Sequence, residues 1–196
     1  EQLLVAAAEG SPASPELLEV LGSVFLIEQK PLNAAIAFKK ADALRPLDDR
    51  RRFALVLAYI SLERGDWARP ELERLAASDP ANPLYPYWLG RLDYDAGQHR
   101  EAIRRFEQVL AREPDSVRAH DNLGLAFEAL NLQDEARRHY RRAVELNRRA
   151  SVKSPWPPLN LGLMLRNAGQ TRDAEALLRE AVGYDDRLPQ AHYQLG

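Results

Sequence analysis

Residues 117–146 read VRAHDNLGLAFEALNLQDEARRHYRRAVEL. Leu123, Gly124 and Phe127 keep the i, i+4 spacing that draws an apolar stripe along one helix. Ala136, Tyr140 and Ala143 draw a second stripe at i, i+4, i+7, and Asn131 to Gln133 breaks the pattern between the two. The stretch therefore predicts two helices joined by a tight turn, each burying one face.

Outward from it the same signals recur at a fixed step. Leu21-Gly22, Leu55-Val56, Leu89-Gly90 and Leu123-Gly124 lie 34 residues apart; Leu161-Gly162 follows after 38 and Leu195-Gly196 after 34. Pro12, Pro46, Pro80 and Pro114 keep the step of 34. Two residue types locked to one period mark a tandem array of helical hairpins. Ala34, Ala68, Ala102, Ala136 and Ala174 share one place, followed four residues on by Phe38, Leu72, Phe106, Tyr140 and Leu178. Small against large lets two helices interlock, and Gly inside a helix, at a cost of roughly 1 kcal/mol relative to Ala, argues for close contact at Gly22, Gly90, Gly124 and Gly162. The period divides the chain into a closing second helix at 1–12, repeats at 13–48, 49–82, 83–116, 117–154 (with four inserted residues) and 155–188, and the start of another at 189–196. Both ends are expected to be cut from a longer array, since terminal repeats usually carry a polar capping face.

The Leu-Gly pair, the aromatic three residues later, the Ala, the large apolar residue and the terminal Pro together resemble the tetratricopeptide repeat. The resemblance covers essentially the whole chain and implies an all-α, right-handed superhelical solenoid of about five antiparallel helix pairs. It also implies a non-catalytic scaffold for a protein or peptide partner. The family serves many roles, so an arm that targets a larger enzyme, such as a glycosyltransferase, and a self-assembling array with associating ends remain alternatives. The sequence departs from the pattern at motif place 4, where Trp is common and Leu18, Arg52, Pro86, His120 and Pro158 stand. Val56 replaces the usual Gly, Gly65 comes two places late, and Pro70 falls early in a second helix. A longer first helix and a shortened or bent second helix are expected there.

Composition bounds the partner. A formal net charge of -2 lacks the basic footprint of nucleic-acid binding. No apolar run approaches the ~18 residues that span a bilayer. With no Cys, disulfides and Cys-ligated metals are excluded. His99, His120, His139 and His192 fall on different repeats without metal-ligand spacing and read as packing or solvated residues; no cofactor or metal is implied. The pairs Asp48-Asp49 and Asp185-Asp186 read as helix caps, and the run Arg137, Arg138, Arg141, Arg142, Arg148, Arg149 and Lys153 as a solvated, partly paired face with Glu145.

The inner face of the first helices is where the repeats differ. Tyr87, Trp88, Arg91 and Tyr94 stand in the third repeat, Asn122 and Arg118 in the fourth, Asn160, Trp156 and Arg166 in the fifth, and Gln194 continues the line. Successive Asn side chains pair with an extended peptide backbone without reading its sequence, while aromatic and Arg groups anchor it. The Asn122, Asn160, Gln194 series is similar to the asparagine ladder of the repeat domain of O-linked N-acetylglucosamine transferase, although Val20, Ala54 and Trp88 break it upstream. The run Ser154-Pro155-Trp156-Pro157-Pro158 is expected to resist helix and expose Trp156, either as a lip on this groove or as a change of angle between repeats.

Overall fold

The hairpins predicted by the period are present in the computed structural model, which describes residues 14–195. Among these residues the chain is all-α, with eleven helices and no strand: α1 (Pro15–Ile27), α2 (Pro31–Leu44), α3 (Asp49–Ser61), α4 (Gly65–Ser78), α5 (Leu84–Asp95), α6 (His99–Leu110), α7 (Val117–Ala129), α8 (Gln133–Arg149), α9 (Trp156–Asn167), α10 (Thr171–Tyr184) and α11 (Pro189–Leu195). The helix expected within residues 1–12 lies outside the described residues.

The described residues divide into two compact units, one up to Tyr85 and one from Pro86 onward. In the first, α1 packs on α2, α2 on α3 and α3 on α4. In the second, α6 through α11 pack each on the next, and α9 also touches α7. The shared Ala place and the large residue four positions on are the centres of these packings: all five Ala and all five partners are at most 1% exposed. A Cβ added to Gly22 would come within 2.8 Å of the Phe38 ring, and one on Gly90 within 2.8 Å of Phe106. Each Gly is thus the socket for the ring sixteen residues later. Val56, where Gly is usual, faces the same register with the smaller Leu72, and both are fully buried.

Helix starts follow from local chemistry. Asp48 caps α3, its Oδ1 accepting the Arg51 amide at 2.8 Å, and Asp185 Oδ1 accepts the Arg187 amide at 3.0 Å in the turn before α11. The turn inside each hairpin places one residue in the left-handed region: Gln29, Glu63, Gly97, Asn131 and Gly169, with φ between 57° and 76°. This corrects the expectation for the second repeat. Glu63 itself takes the conformation that Gly takes at position 97, so the late Gly65 is simply the first residue of α4. That helix runs 14 residues, as α2 does, and α3 runs 13, as α1 does. Pro70 sits inside α4, where it removes one backbone donor without ending the helix. Side chains at positive φ cost about 1–2 kcal/mol, partly offset by the extra unfolded-state freedom of Gly. Gln29→Gly and Glu63→Gly are therefore each expected to stabilise the protein by roughly 0.5 kcal/mol, read as a raised urea midpoint with an unchanged slope.

The insertion also differs from expectation. α8 extends to Arg149, 17 residues in all, and α9 begins at Trp156, so Pro157 and Pro158 are helical. Prolines are tolerated there because first-turn amides have no intrahelical acceptor to lose. The intervening loop is held by the buried Asn147, whose Nδ2 donates to the Ser154 carbonyl at 2.8 Å and whose Oδ1 accepts the Ser154 amide at 2.9 Å.

Candidate partner-binding cleft of residues 86–196

Three first helices present matched stripes on one side of the second unit. Tyr87 and Arg91 are i, i+4 on α5; Arg118, Asp121, Asn122 and Leu125 are i, i+3, i+4, i+7 on α7; Trp156 and Asn160 are i, i+4 on α9. Helical spacing aims each set at one sector, and the three sectors line a single cleft of about 630 Å³, completed by Val117, Ser154 and Pro157. The loop clamped by Asn147 thus delivers Trp156 to the rim, where its side chain is 53% exposed.

The cleft wall is wired internally. Arg91 Nη1 donates to Asn122 Oδ1 at 2.9 Å; Asn122 Nδ2 donates to the Arg118 carbonyl at 2.8 Å and to the Tyr87 hydroxyl at 3.4 Å. Asn122 is buried, and both its side-chain donors and its acceptor have partners within the protein. The Tyr87 ring packs against Trp88 and Phe106 at centroid distances of 5.5 and 6.0 Å, with the Arg118 guanidinium 6.0 Å from its own centroid. Asn160 Nδ2 donates to both Asp121 oxygens at 3.1 Å.

Of the residues singled out in the sequence, Tyr87, Arg91, Arg118, Asn122, Trp156 and Asn160 meet in this cleft. Trp88, Tyr94, Arg166 and Gln194 are not among its lining residues. Trp88 packs edge-on to Tyr87, Tyr94 packs beside His99 at 5.2 Å, and Arg166 is exposed near the end of α9. Asp121 is the charged cleft residue that sequence reasoning did not single out. The available signal was its place one residue before Asn122 and three after Arg118 on the same stripe.

Burial sets the electrostatics here. Asp121 is 7% exposed, and removal from water pushes its carboxyl up to about 6 despite the opposing Asn160 hydrogen bond and Arg91 charge. Behind the cleft, His120 Nδ1 and His139 Nδ1 share a hydrogen bond at 3.0 Å, His120 Nε2 meets the Pro114 carbonyl at 3.0 Å, and His139 stacks on Phe127. A shared Nδ1 contact needs one ring as donor and the other as acceptor, so the pair fits two neutral imidazoles. Burial, then the charge of His120, depress His139 to about 4, and burial depresses His120. Among the described residues no group of three His, Cys, Asp or Glu could hold a metal ion. On the outer side of α8, Arg142 pairs with Asp115 and Glu145, Arg149 with Glu145, and Arg148 with Glu180.

The two shifts have opposite consequences for stability. A raised folded Asp pKa contributes stability below the unfolded value of ~3.9 and loses it as pH rises through 6; a depressed folded His pKa contributes stability above ~6.5 and loses it as pH falls toward 4. Asp121→Asn removes the first effect alone. It is expected to stabilise the protein by about 1–3 kcal/mol at pH 8, with the gain shrinking through pH 6 and gone below about pH 4 in paired urea titrations.

These features define a helical-hairpin repeat protein with a polar, partly aromatic cleft. Residues 87–151 and 159–183 match models of the tetratricopeptide repeat. The fold is shared with solved structures. MamA from Desulfovibrio magneticus RS-1 superposes with a TM-score of 0.72 at 18% identity, over 89% of this chain and 97% of that one. A thermophilic TPR protein of Thermus thermophilus gives 0.72 at 16% identity, over 93% and 97%. Pseudomonas aeruginosa pilF gives 0.73 at 19% identity, over 92% and 80%. No curated protein sequence matches the chain. The matched residues are tetratricopeptide repeats, a class whose members generally serve as protein-interaction scaffolds.

Proposed function

We propose that the cleft of residues 86–196 holds an extended segment of a protein partner, and that the chain works as a non-catalytic scaffold through it. The observation that carries this reading is the convergence of Tyr87, Arg91, Arg118 and Trp156 on one cleft, with Trp156 held exposed at its rim. Trp, Tyr and Arg are the residues that most often dominate binding energy at protein interfaces. Asn160 supports it. Its Nδ2 is engaged by Asp121, while its Oδ1 has no partner among the described residues and is free to accept a backbone amide. Asn122 serves differently in this reading: with its own groups occupied, it fixes Tyr87 and Arg91 in place and leaves their outer faces to the ligand.

Trp156→Ala combined with Arg118→Ala tests the reading, because both side chains are exposed and their loss should leave the fold intact. The double variant is expected to bind the partner captured by the wild-type chain at least ~10-fold more weakly, with the urea midpoint unmoved. Arg104→Ala with Arg179→Ala, at side chains 68% and 69% exposed on second helices, should leave affinity unchanged. Equal affinity of the cleft variant and wild type would place the partner elsewhere.

A further inference from the structure

Three acidic residues are buried among the described residues: Glu19, Asp93 and Asp121. Glu19 has Arg45 at 3.0 Å and Arg51 at 3.3 Å, and Asp93 has Arg105 at 3.9 Å. The half-buried carboxylates Asp42 and Glu71 share Arg52 in the same manner. Asp121 alone of the buried acids has no Arg, Lys or His at ion-pair distance among the described residues; its two oxygens share a single neutral donor, Asn160 Nδ2. An uncompensated buried charge is costly, so its place on the cleft wall needs an explanation that the fold does not provide.

The two arginines nearby provide it only in part, since the Arg91 charge favours the ionised Asp121 without pairing to it. Arg91 is spent on Asn122 and leans toward Asp95 at 3.9 Å, and Arg118 lies toward the Tyr87 ring. Trp156 lines the same cleft as Asp121 with an exposed aromatic surface that favours a cation.

We infer that Asp121 is the seat for a basic side chain, Lys or Arg, carried by the partner segment that occupies the cleft. The inference rests on the proposed function above and names the chemistry of its ligand. The incoming ammonium or guanidinium reaches the carboxylate from the cleft, keeps the Asn160 bond, and packs its apolar stem along Trp156. A charge-assisted hydrogen bond of this kind is worth about 10- to 100-fold in affinity.

The test is selection of a phage-displayed random peptide library on the wild-type chain and on Asp121→Asn, followed by synthesis of the selected peptides with the basic residue replaced by norleucine. Wild-type selections are expected to converge on a Lys or Arg at one position. The norleucine replacement should weaken binding at least ~10-fold to wild type and hardly at all to Asp121→Asn, a variant expected to be the more stable of the two. Selected peptides that lack a basic residue yet lose affinity on Trp156→Ala would overturn the inference and leave the cleft reading standing. The same holds for a basic residue worth as much to Asp121→Asn as to wild type. Peptides indifferent to Trp156→Ala would overturn both.

Discussion

Gly124→Ala lowers the stability of the 86–196 unit by about 2–3 kcal/mol, although Ala is the better helix former by about 1 kcal/mol. The added Cβ falls on the ring of Tyr140, closer than at Gly22, Gly90 or Gly162, and the first contacts are ring carbons rather than the end of a flexible side chain. The ring has nowhere to go. Tyr140 is fully buried, and its hydroxyl is fixed by donation to Glu128 Oε2 at 2.8 Å. The second repeat shows the compensating solution, Val56 with Leu72 in the same register, both fully buried. Tyr140→Leu should therefore cost less in the Gly124→Ala background than in wild type, with a coupling of at least ~1 kcal/mol. Gly162 is the internal control. A Cβ there would sit 3.1 Å from Leu178, an aliphatic neighbour that can shift by a few tenths of an ångström, and 3.3 Å from the Ala174 carbonyl, so Gly162→Ala should cost clearly less than Gly124→Ala. Strict additivity of the Gly124 and Tyr140 substitutions in urea unfolding would refute the socket argument.

Arg52→Met should destabilise residues 14–85 by about 3–5 kcal/mol, as much as truncating a large core side chain. Arg52 is 2% exposed, yet its guanidinium donates to Glu71 at 2.6 Å, to Asp42 at 3.1 Å and to the Leu47 carbonyl at 3.4 Å. It joins α2, α3 and α4 through one group. Burial raises the Asp42 carboxyl, but the Leu47 amide, the Arg52 charge and Lys39 at 3.7 Å together hold it below the usual range; removing the guanidinium leaves Glu71 without this partner and Asp42 with Lys39 alone. The penalty belongs to those stranded charges rather than to the lost pair itself, which predicts a rescue: Asp42→Asn with Glu71→Gln should recover most of the loss in the Arg52→Met background. Urea midpoints of the single and triple variants decide it, and a triple variant as unstable as the single one would count against this account.

Much of this architecture was legible in the period, because packing of identical hairpins demands the same residue size at the same place. Close contact was legible at Gly22, Gly90 and Gly124, and the packing supplies the partners Phe38, Phe106 and Tyr140. Where a different chemistry meets the same geometric need, the pattern was silent or misleading. Glu63 adopts the backbone that Gly97 adopts, and the nearby Gly65 suggested a displaced turn. Pro157 and Pro158 looked like helix breakers until their place in the first turn of α9 made them harmless. Arg52 read as a missing Trp because its partners sit ten residues before and nineteen after, on other helices. The cleft was harder still. Its residues could be assigned to one face, but Asn122 is joined to Arg91 and Tyr87 across 31 and 35 residues, and the burial of Asp121 depends on how α7 and α9 pack. Those are properties of the assembled hairpins, and helical spacing carries no trace of them.

The central claim is that the cleft on α5, α7 and α9 is the working surface of residues 86–196. A photo-reactive benzoylphenylalanine placed at position 156, and in a second protein at position 104 on α6, tests it within the cell that makes the chain. The account predicts a partner adduct from position 156, diminished by Arg118→Ala and absent from position 104. Adducts from position 104 with none from position 156 would contradict it.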